Sequence, residues 1–349
     1  MVKKFGAMLI AMLFAFSSML TGCGNTDASG TSESEGTSTT TSANSKVGTA
    51  ENPFKLGVSP MSGWYAWYGV QGAGVFEKNG VYVDIKFFPV YSDSLTAFYS
   101  GELDGICIAA SDAVAPANNN IDFKIVLVND NSAGADGLVV HDGINSIEEL
   151  KGKKVATELG TLEHMFLLKM LKDHNMTQDD IQFTNMSIND AGPAFIAGSV
   201  DAAVLWEPTL SMAAEKGKII YSSKSEPGLI PDTLAVRSEV IASSSDSVQK
   251  VVDSWFDGTT LLKNKDEAFM NAIYSGSELS ADEYKVMLDG VTIFDKDMNK
   301  KTFEQGSDYT SLPFTLQKSA EFLTEVGMAE KVPDNIGNLI DDTYVKNAK

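Results

Sequence analysis

The chain has 349 residues, of which 43% are hydrophobic, and a formal net charge of −20. That charge repels nucleic acid and anionic lipid, which excludes both as partners. Two cysteines cannot build a disulfide framework, and the zinc motifs, the P-loop, GxGxxG and GxSxG are all missing, so neither a metal nor a cofactor is implied.

Residues 1–22 read as a secretory signal. Lys3 and Lys4 give a positive start, an apolar run follows at 5–20, and small residues precede Cys23. That run is short for a bilayer span, which takes roughly 20 residues. The Leu-Thr-Gly-Cys ending at 20–23 resembles a bacterial lipobox. The resemblance implies cleavage before Cys23 and lipid on its sulfur and amino group. Residues 23–50 then form a tether of Ser, Thr, Gly, Asn, Glu and Ala, with no large apolar side chain before Val47. Such a segment buries too little surface to fold. As a coil of about 27 residues it reaches roughly 30 Å.

From residue 51 strand and helix signals alternate. Strands are predicted at Phe54–Val58, 83–88, Gly105–Ala109 and 124–128, with helices at 64–78, 92–100 and 112–117 between them. This βαβαβαβ order predicts a mostly parallel sheet. A strand at Asp136–Val140 precedes a second series: short helix 147–151, strand 154–158, helix 161–174, strand 181–186, helix 191–197, strand Ala202–Trp206, helix 210–216 and strand 219–221. A strand at 233–237 follows, and the remainder reads as wholly helical, at 246–263, 265–274, 281–287 and 312–326. The predicted fold is α/β with two lobes. Residues 51–135 and 233–349 form the first, residues 136–232 are inserted as the second, and a ligand cleft faces the carboxyl ends of both sheets.

The stretch at 57–69 stands at such an edge. It carries Trp64, Tyr65, Trp67 and Tyr68 directly after a Ser/Pro/Met/Ser/Gly loop. Rings spaced i, i+1, i+3, i+4 cannot share one narrow helical stripe, so at least one is expected on a ligand and the others in the core or on the surface.

Three segments carry a family resemblance: Gly-Glu-Leu-Asp-Gly at 101–105, Ser-Ile-Glu-Glu-Leu-Lys-Gly-Lys-Lys-Val-Ala at 146–156, and Gly-Ser-Val-Asp-Ala-Ala-Val-Leu-Trp-Glu-Pro at 198–208. With the element order, they resemble the substrate-binding proteins of nitrate/sulfonate/taurine-type ABC importers, a class II periplasmic-binding-protein-like group related to thiamine-precursor binders. The resemblance covers roughly residues 54–262. It implies ligand contacts on the loops that follow the strands: Ser59, Trp64, Tyr65, Trp67, Tyr68, Ser111, Asp112, Asp136, Glu158, Thr161, Asp190, Trp206 and Glu207. It also implies a permease with its ATPase as partner, a monomer, and a lipid-anchored place on the outer face of a cell membrane, as in Gram-positive cells.

These loops offer Asp93, Asp112, Asp130, Asp136, Glu158, Glu163, Asp190 and Glu207 but no lysine or arginine. Carboxylates beside aromatic faces suit a small nitrogenous cation or polar heterocycle, such as a guanidine, an amine or a pyrimidine. The alternative is a sulfonate, taurine or nitrate-type oxyanion held on helix N-termini. Asp93, Asp112 and Asp190 read equally as helix caps, Glu163 is expected to face solvent, and His164 to be packed. An enzyme is not expected. Relatives with this fold resemble pyrimidine-biosynthesis enzymes, whose chemistry needs a cleft histidine and several cysteines. Here there are three histidines, and Cys107 reads as a core residue.

Overall fold

The computed structural model describes residues 46–349 except 120 and 335. The signal, Cys23 and the tether as far as residue 45 lie outside the described residues. The end of the predicted tether does not hang free. Val47 packs on the core, and its amide donates to Ser244 Oγ at 2.9 Å.

The described strands are β1 (Phe54–Val58), β2 (Val83–Phe87), β3 (Gly105–Ala109), β4 (Phe123–Ser132), β5 (Asp136–Val140), β6 (Lys154–Thr157), β7 (Gln182–Asn185), β8 (Ala202–Trp206), β9 (Lys218–Ser222), β10 (Pro231–Arg237) and β11 (Val291–Ile293). They form two sheets. The first has the order β11-β4-β10-β3-β1-β2 and the second β7-β6-β8-β5-β9. With the surrounding helices this is an α/β architecture. Strands β3 and β8 are unbroken apolar runs and β5 is one after its opening Asp136; all three are buried along their whole length as central strands covered on both faces should be. At the edges, β2 and β7 alternate polar and half-buried residues, which blunts unpaired backbone.

The sheets are less parallel than the alternating pattern predicts. β1 pairs parallel with β2 and β3, but β10 inserts antiparallel between β3 and β4. In the second sheet β5 runs antiparallel to both β8 and β9. The chain crosses between sheets at residues 133–135 and returns at 223–230. Ser223 ties the crossings together: its hydroxyl meets Ser132 Oγ at 2.6 Å and accepts from the Gly134 amide at 2.8 Å.

Other elements also depart from expectation. The helix predicted at 64–78 breaks into Ala66–Gly72 and Val75–Lys78, because Gly74 takes φ +68°, a left-handed conformation that stops the first piece. The helix expected from 246 begins at Ser238 and bends at Ser244, whose φ/ψ of −142°/34° is not helical. The tail is not wholly helical: β11 adds to the edge of the first sheet against β4, followed by a helix at Lys296–Thr302. Three residues, Val-Thr-Ile, are too few for periodicity to declare a strand.

Candidate functional site

Strand ends of both sheets converge on a cluster of acids. Asp130 lies near the end of β4, in register with Asp232 at the start of β10. Asp136 opens β5 opposite Trp206 of β8. Glu163 stands in the first turn of helix Leu162–Asp173. None of the four is more than 1% exposed. Both oxygens of Asp130, Asp136 and Glu163, and one of Asp232, have no hydrogen-bond donor. The acids act on one another: Asp130 with Asp232, and Asp136 with Glu163. The Ser132 hydroxyl lies near Asp136 but is engaged with Ser223. Burial pushes every one of these carboxyls up. Asp136 is raised to about 6, mainly by burial. Glu163 and the Asp130–Asp232 pair rise as well, because burial is compounded by the neighbouring acids. No lysine or arginine figures among the groups acting on them.

Polar groups without partners surround the acids. The hydroxyls of Ser59 and Ser62, the indole N–H of Trp64, the Asn129 amide and the Tyr284 hydroxyl are buried and unbonded. Gly63 lets the loop after β1 pass directly over Asp130: a Cβ at residue 63 would lie 1.8 Å from Asp130 Oδ2. Tyr284 faces the same carboxylate, which helps burial raise its phenol.

Aromatic rings bridge from sheet to sheet. Trp64 lies 5.6 Å from Tyr91, and Tyr91 meets Trp206 edge-on at 5.6 Å. The Tyr91 hydroxyl donates to Asp112 Oδ2 at 2.9 Å, and the Leu162 amide, across the cleft, donates to the same oxygen at 3.2 Å. Burial raises Asp112 to about 7. Glu158 reaches Ser92, and Asn189 donates to the Pro89 carbonyl at 2.7 Å. Tyr91, Glu158, Ile188 and Trp206 meet at the mouth. The cleft is closed, with the acids on its floor.

The residues singled out in the sequence divide into groups. Ser59, Trp64, Ser111, Asp112, Asp136 and Trp206 are gathered around the cleft, and Glu158 lies at its mouth. Thr161 donates to the Glu158 carbonyl at 2.9 Å. Glu207 turns away, accepting from the Ser211 hydroxyl at 2.6 Å and the Ser211 amide at 3.1 Å. Trp67 lies in the core against Trp255 at 4.8 Å and Phe76 at 5.9 Å. Tyr65 stacks on Tyr68, which packs on Gly276 of helix Glu267–Ser277. Asp190 is not brought in. It is exposed, and Ser187 Oγ donates to it at 2.8 Å. The expectation that Glu163 faces solvent is corrected: it is fully buried. Asp232 went unread, since an acid after Pro231 looks like a turn; its signal is a lone acid opening an apolar strand. His164 is packed as expected, with Nε2 2.6 Å from Gln178 Oε1.

The family profile described as NMT1/THI5 like matches residues 66–284, which is more than half of the chain. The chain belongs to the NMT1/THI5-like family. Over 99% of its length it is 25% identical to a Bacillus subtilis protein, of which it covers 97%, provisionally named an aliphatic sulfonates-binding protein. It is 23% identical to the taurine-binding periplasmic protein of Escherichia coli, over 42% of this chain and 46% of that one. Among solved structures, the periplasmic aliphatic sulphonate binding protein SsuA from Escherichia coli superposes with a TM-score of 0.67 at 20% identity, covering 81% of this chain and 91% of that one. At that identity the superposition establishes a common fold, the periplasmic-binding-protein fold. Within this NMT1/THI5-like chain no described helix is long and apolar enough to cross a membrane.

Proposed function

We propose that this chain is the solute-binding receptor of an ABC importer, which encloses a small molecule between its two sheets and presents the closed form to a permease with its ATPase. The observation that carries the proposal is the closed cleft itself. Buried polar groups from both sheets converge there without partners, and unsatisfied groups of that kind are costly unless a guest supplies the missing bonds. The matching relatives are named as binding proteins. On this reading residues 51–135 with 233–349 and residues 136–232 are lobes that swing about the crossings at Ser132–Ser223, a hinge movement. The receptor is a monomer, tethered outside the membrane by lipid on Cys23.

Two ligand readings stood open. Of the alternative of a sulfonate, taurine or nitrate-type oxyanion, the names of the relatives back sulfonate and taurine better than the free nitrogenous cation. An enzyme is disfavoured by the positions of its would-be groups. His141 stacks on Phe195, His174 meets Glu148 at the surface, and Cys107 is buried in β3 with its thiol pushed up by burial.

A thermal-shift screen tests the receptor reading. The set comprises taurine, alkanesulfonates, nitrate, guanidinium, simple amines and pyrimidines. A true ligand at one hundred times its Kd adds about 2.7 kcal/mol to the folded state. At least one class should raise the melting temperature by several degrees. If every compound leaves the melt unchanged, the receptor reading fails.

A further inference from the structure

We propose that the group recognised in the solute is a cationic nitrogen, clamped between Asp130 and Asp232 of the first sheet and Asp136 of the second sheet with Glu163 of helix Leu162–Asp173. The inference rests on the receptor reading and names its solute class.

The argument is one of donors and acceptors. The unpartnered oxygens of the four acids can only accept once ionised, and among the described residues no basic side chain figures among the groups acting on them. An ammonium brings three donors and a guanidinium five or more, with no acceptor of their own. A sulfonate or nitrate brings only acceptors and a negative charge. Placed against this floor, it would add an unpaired anion to a buried cluster of anions, the costly case. A second, independent feature is the shell of buried, unbonded groups around the acids. The hydroxyls of Ser59 and Ser62 lie on the loop that passes over Asp130, and the Tyr284 hydroxyl faces the same acid. They are free to bond the remainder of a polar solute. The faces of Trp64, Tyr91 and Trp206 favour a cation by quadrupole attraction.

The assignment also accommodates the names of the relatives. Taurine carries an ammonium at one end and a sulfonate at the other. Its nitrogen can occupy the acid cluster while its sulfonate points toward the mouth. An alkanesulfonate lacks that nitrogen. The structure therefore separates two compound types that the relatives' names leave together.

Asp130 and Asp232 stand on the first sheet, and Asp136 and Glu163 on the second sheet and a helix beside it, so closure brings four carboxyls together. Without a cation the closed form must retain protons on them or remain open. With one, the charges are offset and closing becomes favourable. The solute then acts as the clasp of the closed form.

Calorimetric titration of the full chain at pH 7.5 tests this with taurine, isethionate, ethanesulfonate and guanidinium. Isethionate keeps taurine's frame but has a hydroxyl in place of the ammonium. Taurine or guanidinium should bind, and the two nitrogen-free sulfonates should bind at least about 30-fold more weakly. Asp232→Asn should weaken the bound cation by at least about 30-fold. The same variant should melt higher than wild type when unliganded, because it removes a buried repulsion; a merely structural role would lower the melt instead. If isethionate or ethanesulfonate binds as tightly as taurine, or if Asp232→Asn leaves affinity within twofold, the cation assignment is overturned and the receptor reading stands. If nothing in the set binds here or in the screen, the receptor reading is overturned, and this inference with it.

Discussion

The unliganded protein should lose stability steadily as pH rises from 4 to 8. The sign follows from proton counting. Asp136 and Asp112 titrate near 4 in the unfolded chain but are held at about 6 and about 7 in the fold, chiefly by burial. Between those values the folded state binds more protons than the unfolded one, so the unfolding free energy falls with pH. The penalty is absent below pH 4 and complete once pH has passed the folded values. For Asp136 alone it amounts to about 3 kcal/mol. The Asp130–Asp232 pair and Glu163 act in the same direction. Urea titrations at pH 4.5, 6 and 8 measure the profile. Glu163→Gln should flatten it and raise the pH 8 value by about 1–3 kcal/mol, the usual cost of a buried unsatisfied group. Asp190→Asn, at an exposed acid, should leave the profile unchanged. A wild-type profile that is flat or rises with pH would mean that the carboxylates have partners after all.

Trp67→Ala should cost about 3–5 kcal/mol of stability, the range for removing a large buried ring. The ring is fully buried between Trp255 and Phe76. It has no part in the cleft, so affinity for the solute should stay within about twofold. Trp64→Ala should behave in the opposite way, losing affinity with a smaller loss of stability, since its N–H has no partner in the fold. Equilibrium unfolding in urea, paired with titration of the solute, separates the two. A Trp67→Ala protein of unchanged stability but lost affinity would place that ring in the site.

The contrast between these two tryptophans marks what the sequence could convey. The spacing of Trp64, Tyr65, Trp67 and Tyr68 forces the rings onto different faces, and the fold distributes them accordingly. Trp64 goes to the cleft and Trp67 to the core, while Tyr65 and Tyr68 stack toward helix Glu267–Ser277. Which ring goes where depends on Trp255, Phe269 and Gly276, some two hundred residues downstream, and no local pattern holds that information. Strands β3 and β8 were legible to the residue, because each is a short unbroken apolar run. Their pairing was not. β10 slips between β3 and β4 through contacts that span about a hundred residues, and this insertion places Asp232 beside Asp130. Glu163 was hidden differently. An acid in the first turn of a helix normally complements the dipole at the surface. Its burial becomes apparent only when Asp136 and Asp232 close over it. The acidic character of the loops was therefore readable, whereas the identity of the four acids that meet was a property of the tertiary fold.

The most direct test of the whole account is the pH dependence of affinity for a permanent cation. Guanidinium, titrated calorimetrically at pH 5.5 and pH 8, stays charged throughout, so any change belongs to the protein. At pH 5.5 the raised carboxyls carry protons that binding must expel, and by pH 8 Asp136 is ionised and Asp130, held up to about 8, is partly so. The account predicts binding at least about tenfold tighter at pH 8, with protons released into the buffer at pH 5.5. Affinity that is equal at the two values, or tighter at pH 5.5, would contradict it.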